Sequence, residues 1–135
     1  GFNGYALDRM VAELDRPGML LGVHPEGKRN KNDDPYTFLR PQPGVGTILS
    51  RSPHTRVIPV FVTGLSNSMG TEFTRSWSKR RRDFPIDIMF GAPLEFEELR
   101  SQTPRLATHM QIASECMDAV AALGEKHRDE ITSKD

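Results

Sequence analysis

The chain has 135 residues, 36% of them hydrophobic and 27% charged, with 18 basic residues balanced by 18 acidic ones. That is the size and balance of one globular domain, which excludes a collagen, a coiled coil or wholesale disorder, and a formal net charge of zero removes any case for nucleic-acid binding from overall basicity. No apolar run is long enough to span a bilayer. The single cysteine, Cys116, excludes an internal disulfide and fits a reducing compartment.

The first residues, Gly1-Phe2-Asn3-Gly4, carry no initiating Met, basic n-region or signal h-region, and read as the interior of a longer protein. Residues 6–14 form the first predicted helix, with Leu7, Met10, Val11 and Leu14 on one face. Asn3 is a cap candidate, and Arg16-Pro17-Gly18 stops the helix. Met19-Leu20-Leu21-Gly22-Val23 has the continuous apolar character of a strand covered on both faces. Residues 24–43 are a long, polar, Pro-rich loop, a length that compact domains usually reserve for function.

Residues 44–52 predict a short helix carrying Val45, Ile48 and Leu49, ended by Pro53. Residues 57–62 are a second strand, with Pro59 marking an edge or a strand start. Residues 63–82 read as irregular and end in a basic cluster. Residues 85–90 are a third strand, Ile86, Ile88 and Phe90 alternating with Asp87 and Met89. A final helix is expected from a Thr103 cap with Pro104 at its first position, its apolar stripe running through Leu106, Met110, Ala113, Met117 and Val120. Gly124 is the expected stop, and residues 125–135 a charged tail that frays. Strands alternating with helices predict an α/β fold, a partly parallel sheet flanked by helices. Residues 1–124 form the domain.

The stretch Val23-His24-Pro25-Glu26-Gly27-Lys28-Arg29-Asn30 leaves the end of an apolar strand, where open α/β sheets place their ligands. Gly27 permits a turn closed to other residues, and Lys28 and Arg29 suit phosphate oxygens, Arg29 with its two-pronged geometry. Glu26 suits orienting Arg29 or accepting a substrate hydroxyl. The plain alternative is a strand-end turn with solvated charges.

Pro25-Glu26-Gly27-Lys28-Arg29 resembles the proline-glutamate-glycine-threonine-arginine motif of the glycerolipid acyltransferases, the family of 1-acylglycerol-3-phosphate acyltransferase. Three further features follow in the family's order. Phe38-Leu39-Arg40 with Gly44 looks like its phenylalanine-lysine-x-glycine segment. Val57-Ile58-Pro59-Val60-Phe61-Val62-Thr63-Gly64 matches its valine-proline-valine strand, and Gly91-Ala92-Pro93-Leu94 its glycine-x-proline-leucine turn. In that family a His-x-x-x-x-Asp pair supplies the general base, which takes the proton from the acceptor hydroxyl as it attacks an acyl thioester. Here the residues five beyond His24, His54, His109 and His127 are Arg29, Pro59, Ser114 and Thr132.

The resemblance therefore implies the C-terminal half of an acyltransferase domain, an incomplete portion of a larger fold with no catalytic residue in this chain. Glu26, Gly27, Lys28 and Arg29 would bind the phosphate-bearing acceptor, and Pro59 would shape the floor of the site. The implied donor is acyl-CoA or acyl carrier protein, and the implied partners are a phospholipid membrane surface and the missing N-terminal half. The implied location is peripheral, on the cytoplasmic face. Lys28 replaces the family's Thr and adds a charge that favours a dianionic acceptor. His24 replaces a Phe and reads as a packing or hydrogen-bonding residue rather than a base.

A second cluster, Arg75-Ser76-Trp77-Ser78-Lys79-Arg80-Arg81-Arg82, sets five cations around the only Trp. Trp favours membrane interfaces and cations favour anionic headgroups, so Arg75, Trp77, Lys79, Arg80, Arg81 and Arg82 are candidate contacts for a membrane or for donor phosphates. A solvated loop is the plain alternative, and nucleic-acid binding a weaker one. Cys116 sits by the last helix's apolar stripe as a buried thiol rather than a nucleophile. Metal-ligand spacings, a nucleophile elbow and a nucleotide-binding Gly-rich loop are missing from the sequence, so neither a metal nor a cofactor is expected. The competing reading is a non-catalytic phosphate- or headgroup-binding module.

Overall fold

A computed structural model describes residues 2–66, 68–77 and 85–133. The elements in order are α1 (Phe2–Leu14), α2 (Pro43–Arg51), β1 (Val60–Thr63), α3 (Met69–Trp77), β2 (Asp87–Phe90), α4 (Glu97–Ser101) and α5 (Leu106–Thr132).

The body is built on the crossing of α2 and α5. Pro43 at the first turn of α2 suits a position where its missing N–H is not needed. Val45, Ile48 and Leu49 then face inward. Gly46 is buried at the crossing, where a Cβ would lie 1.9 Å from the His109 carbonyl oxygen, so the two helix backbones touch. Leu49, Phe96, Leu99, Ile112 and Cys116 form the core between α2, α4 and α5, flanked by Val45, Val57 and Leu94. Arg100 closes its edge. Its guanidinium donates to the carbonyls of Leu49, Pro53 and Thr55 at 3.1, 2.8 and 3.1 Å, which satisfies one open carbonyl in the last turn of α2 and two in the segment that follows it.

The sheet corrects the sequence expectation of a partly parallel arrangement. β1 and β2 form a two-stranded antiparallel pair, Val60 opposite Phe90 and Val62 opposite Ile88. The ladder continues past Pro59 through Gly91 N–H to the Pro59 carbonyl at 2.9 Å and a bridge between Val57 and Leu94. Residues 19–23, read as a doubly covered strand, are not a strand. They have no strand partner among the described residues, and Leu20 is 94% exposed. A parallel sheet needs helices on both faces. Here Phe61 turns one face toward α5, while Val60, Val62, Ile88 and Phe90 on the other stay exposed.

Three helices also differ from expectation. α1 begins at Phe2, so Asn3 lies within it rather than at its cap, and α5 has Arg105 rather than Thr103 at its cap position, with Pro104 ahead of the helix. α3 forms where the sequence reads as irregular, its first turn capped by the Ser68 hydroxyl, which accepts the Thr71 N–H at 3.3 Å. α5 begins at Leu106 and runs through Gly124 to Thr132. Gly124 does not end the helix because it serves packing. A Cβ there would lie 3.2 Å from the Phe61 ring and 3.3 Å from that of Phe38.

Because the α2–α5 crossing has no room for a methyl group, Gly46→Ala is expected to destabilise the protein by about 1–3 kcal/mol, or more if the helices cannot separate. Urea unfolding of the two forms measures it. Gly44→Ala on the same helix, where a Cβ meets nothing within 4 Å, is the control.

Candidate functional site

The Pro25–Arg29 stretch forms a tight turn. The Gly27 N–H donates to the His24 carbonyl at 3.0 Å, and Gly27 has φ +68°, which favours glycine. A Cβ at Gly27 would also lie 2.9 Å from Cγ of Gln42. Two bonds pin the turn to the returning loop. Gln42 N–H donates to the Pro25 carbonyl at 2.8 Å, and the Glu26 carboxylate accepts the Leu39 N–H at 2.5 Å. Glu26 is thus half-buried and spent on the backbone, a role the sequence did not assign it, while Lys28 and Arg29 are exposed on the turn.

The long polar loop is ordered by its own side chains. Asn30 Nδ2 donates to the Thr37 carbonyl across its base, and Asn30 Oδ1 accepts the Asn32 N–H at 3.0 Å. Asp34 accepts the Tyr36 N–H at 3.0 Å and the Thr37 hydroxyl at 2.9 Å, and these bonds hold its carboxyl below the usual carboxylate range. The loop then docks. Tyr36 stacks on Phe61 with ring centroids 5.8 Å apart, and Phe38 meets Phe61 edge-on at 6.2 Å. The Arg128 guanidinium lies 4.4 Å from the Tyr36 ring centroid.

Behind Tyr36 lies a polar chain that sequence reasoning missed. The Tyr36 hydroxyl is 3.0 Å from His127 Nδ1, and His127 Nε2 is 3.4 Å from an Asp87 carboxylate oxygen. His127 is buried, although residues 125–135 read as a charged tail. Tyr36 and His127 are 91 positions apart, and no local signal joins them. The chain ties the loop, α5 and β2 together at one point.

An apolar groove of about 260 Å³ lies between α1 and the segment that enters the turn, lined by Met10, Leu14, Met19, Leu20 and Leu21 with Arg9 and Glu13 at its rim. The second sequence cluster is placed in part. Arg75 and Trp77 lie in the last turn of α3, Arg75 3.3 Å from Glu72 and Trp77 exposed. Lys79, Arg80, Arg81 and Arg82 lie outside the described residues. Pro59 is buried beside Gly91 on the sheet. Among the described residues there is no group of His, Cys, Asp and Glu suited to a metal ion, and no helix is long and apolar enough to cross a membrane.

Cys116 lies in the core. Burial pushes its thiol up to about 11, with Glu115 adding to the effect and Arg100 opposing it. The chain matches no family model, no curated protein and no solved structure.

The thiol supplies a pH prediction. Between its ordinary value of 9.0 and about 11 the unfolded chain ionises and the native one does not, so stability falls as pH rises through that window. Cys116→Ala is expected to remove this component of the alkaline loss. Native protein at pH 8 is expected to resist a disulfide reagent that labels the urea-unfolded chain at once.

Proposed function

We propose that the Pro25–Arg29 turn binds the phosphate of a glycerol-phosphate-type acceptor, and that the chain serves acyl transfer from acyl-CoA or acyl carrier protein to that acceptor's hydroxyl. The carrying observation is the pinned turn. Glu26 and Gly27 shape its backbone, and adjacent Lys28 and Arg29 are exposed on it. Two neighbouring cations on a rigid turn suit a dianion, and Arg adds two-pronged recognition. The apolar groove that leads into the turn suits the chain of an amphiphilic acceptor such as lysophosphatidate. The resemblance of the four ordered segments to the glycerolipid acyltransferases supplies the reaction.

In that reaction a base takes the acceptor's hydroxyl proton, the oxygen attacks the thioester carbonyl, and the thiol leaves. This chain's part is to hold the acceptor. The base belongs to a His-x-x-x-x-Asp segment that the chain does not contain, so it works joined to such a segment, as a peripheral protein at the cytoplasmic face of a membrane. One observation favours a second reading, a non-catalytic module that binds phosphate or a lipid headgroup: none of the four histidines has an aspartate five residues on. The two readings share the turn and part on whether the longest natural polypeptide carrying this sequence turns over acyl-CoA.

Titration calorimetry with glycerol 3-phosphate, lysophosphatidate and uncharged glycerol tests the shared step. Binding is expected for the two phosphates and not for glycerol. Arg29→Ala is expected to weaken it about 10- to 100-fold, the worth of a charge-assisted contact, and Arg56→Ala to leave it unchanged. Equal affinity in the Arg29→Ala form, or no phosphate-dependent binding by the wild type, overturns the proposal.

A further inference from the structure

α3 is an amphipathic helix turned inside out. Met69, Phe73 and Trp77 recur at the i, i+4, i+8 spacing that aligns side chains on one face, and they are 76%, 67% and 80% exposed. Phe73 and Trp77 lie side by side along the helix, ring centroids 5.8 Å apart and planes tilted by 31°. On the opposite face, Glu72 and Arg75 are the less exposed residues, 27% and 30%. Glu72 is tied inward, accepting the Ser66 N–H at 2.6 Å, and this bond holds its carboxyl below the usual range. The polar face is therefore partly covered by the segment that enters the helix, and the apolar stripe meets water. No residue of α3 is buried. A helix packed for its own sake does the reverse.

We propose that the Met69–Phe73–Trp77 stripe of α3 docks on an anionic phospholipid surface. Charge selects this occupant over a second copy of the chain. In a globally neutral protein, Lys79, Arg80, Arg81 and Arg82 follow Trp77 within five positions of the sequence, a local excess of cations. A polybasic segment beside an apolar helix face is drawn to anionic headgroups and repelled by its own copy. Trp at one end of the stripe suits the interfacial region, where an aromatic ring meets hydrocarbon and its N–H meets headgroups. The helix lies in the membrane plane, its stripe in the acyl boundary, with the Glu72–Arg75 pair facing away from the lipid. The inference stands independently of the acceptor-binding turn, which occupies a different segment.

Trp77 is the only Trp in the chain, so its emission reports on this helix alone. Vesicles of phosphatidylcholine with phosphatidylglycerol are expected to shift that emission to shorter wavelength and to carry the protein down on sedimentation. Added salt is expected to weaken both effects, and lipids brominated near the headgroup end of the acyl chain to quench the emission. Phe73→Ser, at an exposed position that leaves the fold intact by circular dichroism, is expected to lower partitioning about tenfold. Unchanged emission with these vesicles overturns the proposal. So does equal partitioning into pure phosphatidylcholine, or a blue shift without vesicles that grows with protein concentration, which assigns the stripe to a second copy.

Discussion

The contact on which the candidate site depends is the meeting of Phe61 with Gly124. Phe61 is 2% exposed and presses against α5 where the helix carries no side chain. That gap gives room at the helix for the rings of both Phe61 and Phe38, which meet edge-on, while Tyr36 stacks on Phe61. A long polar loop has little apolar surface of its own with which to offset the entropy of its ordering. Two aromatic anchors on one buried ring supply it, and the His127 bond to the Tyr36 hydroxyl adds direction. With the loop held, Leu39 and Gln42 are in place to donate to Glu26 and to the Pro25 carbonyl, and the Pro25–Arg29 turn acquires its shape. The order of dependence runs from a helix glycine to a core ring, to a loop, to a turn.

A second theme is apolar surface left in water. The outer row Val60, Val62, Ile88 and Phe90 of the sheet, Leu20 beside the groove, and the stripe of α3 are all exposed. Contiguous exposed apolar surface in a folded protein marks interaction. On α3 the neighbouring charge says what kind of partner fits. On the sheet nothing does, and the two-stranded pair shows only that one face is covered. Its packing is therefore lopsided: α2, α4 and α5 share a closed core, and the sheet joins that core by its Phe61 face alone.

Glu26 shows how a motif changes meaning once it is folded. In sequence it stands just before a turn glycine and two cations, and reads as a ligand contact. In the structure its carboxylate accepts a backbone N–H from 13 residues away. Its service is to hold the turn, while Lys28 and Arg29 beside it are exposed. Cys116 went the other way: the reading of a buried, inert thiol from its place on the helix stripe agrees with its position in the core and its raised pKa.

The sequence by itself determined what depends on neighbours in the chain. The helix at residues 44–52 was legible from apolar spacing and from Pro53, and the last helix from its stripe Leu106, Met110, Ala113, Met117 and Val120. The strands containing Phe61 and Met89 were legible from their apolar runs, and the turn at residues 24–29 from Gly27. What depended on partners was not legible. Met19-Leu20-Leu21-Gly22-Val23 has strand composition, but a strand exists only if another strand takes up its hydrogen bonds, and no local pattern says whether one is there. Gly124 reads as a stop because glycine is costly inside a helix, and only the rings of Phe61 and Phe38 show why the helix accepts that cost. The Tyr36–His127–Asp87 chain joins residues from a loop, a helix and a strand, far apart in sequence, so tertiary structure alone decides it. Local periodicity encodes which face of an element is apolar, and packing chooses what that face meets.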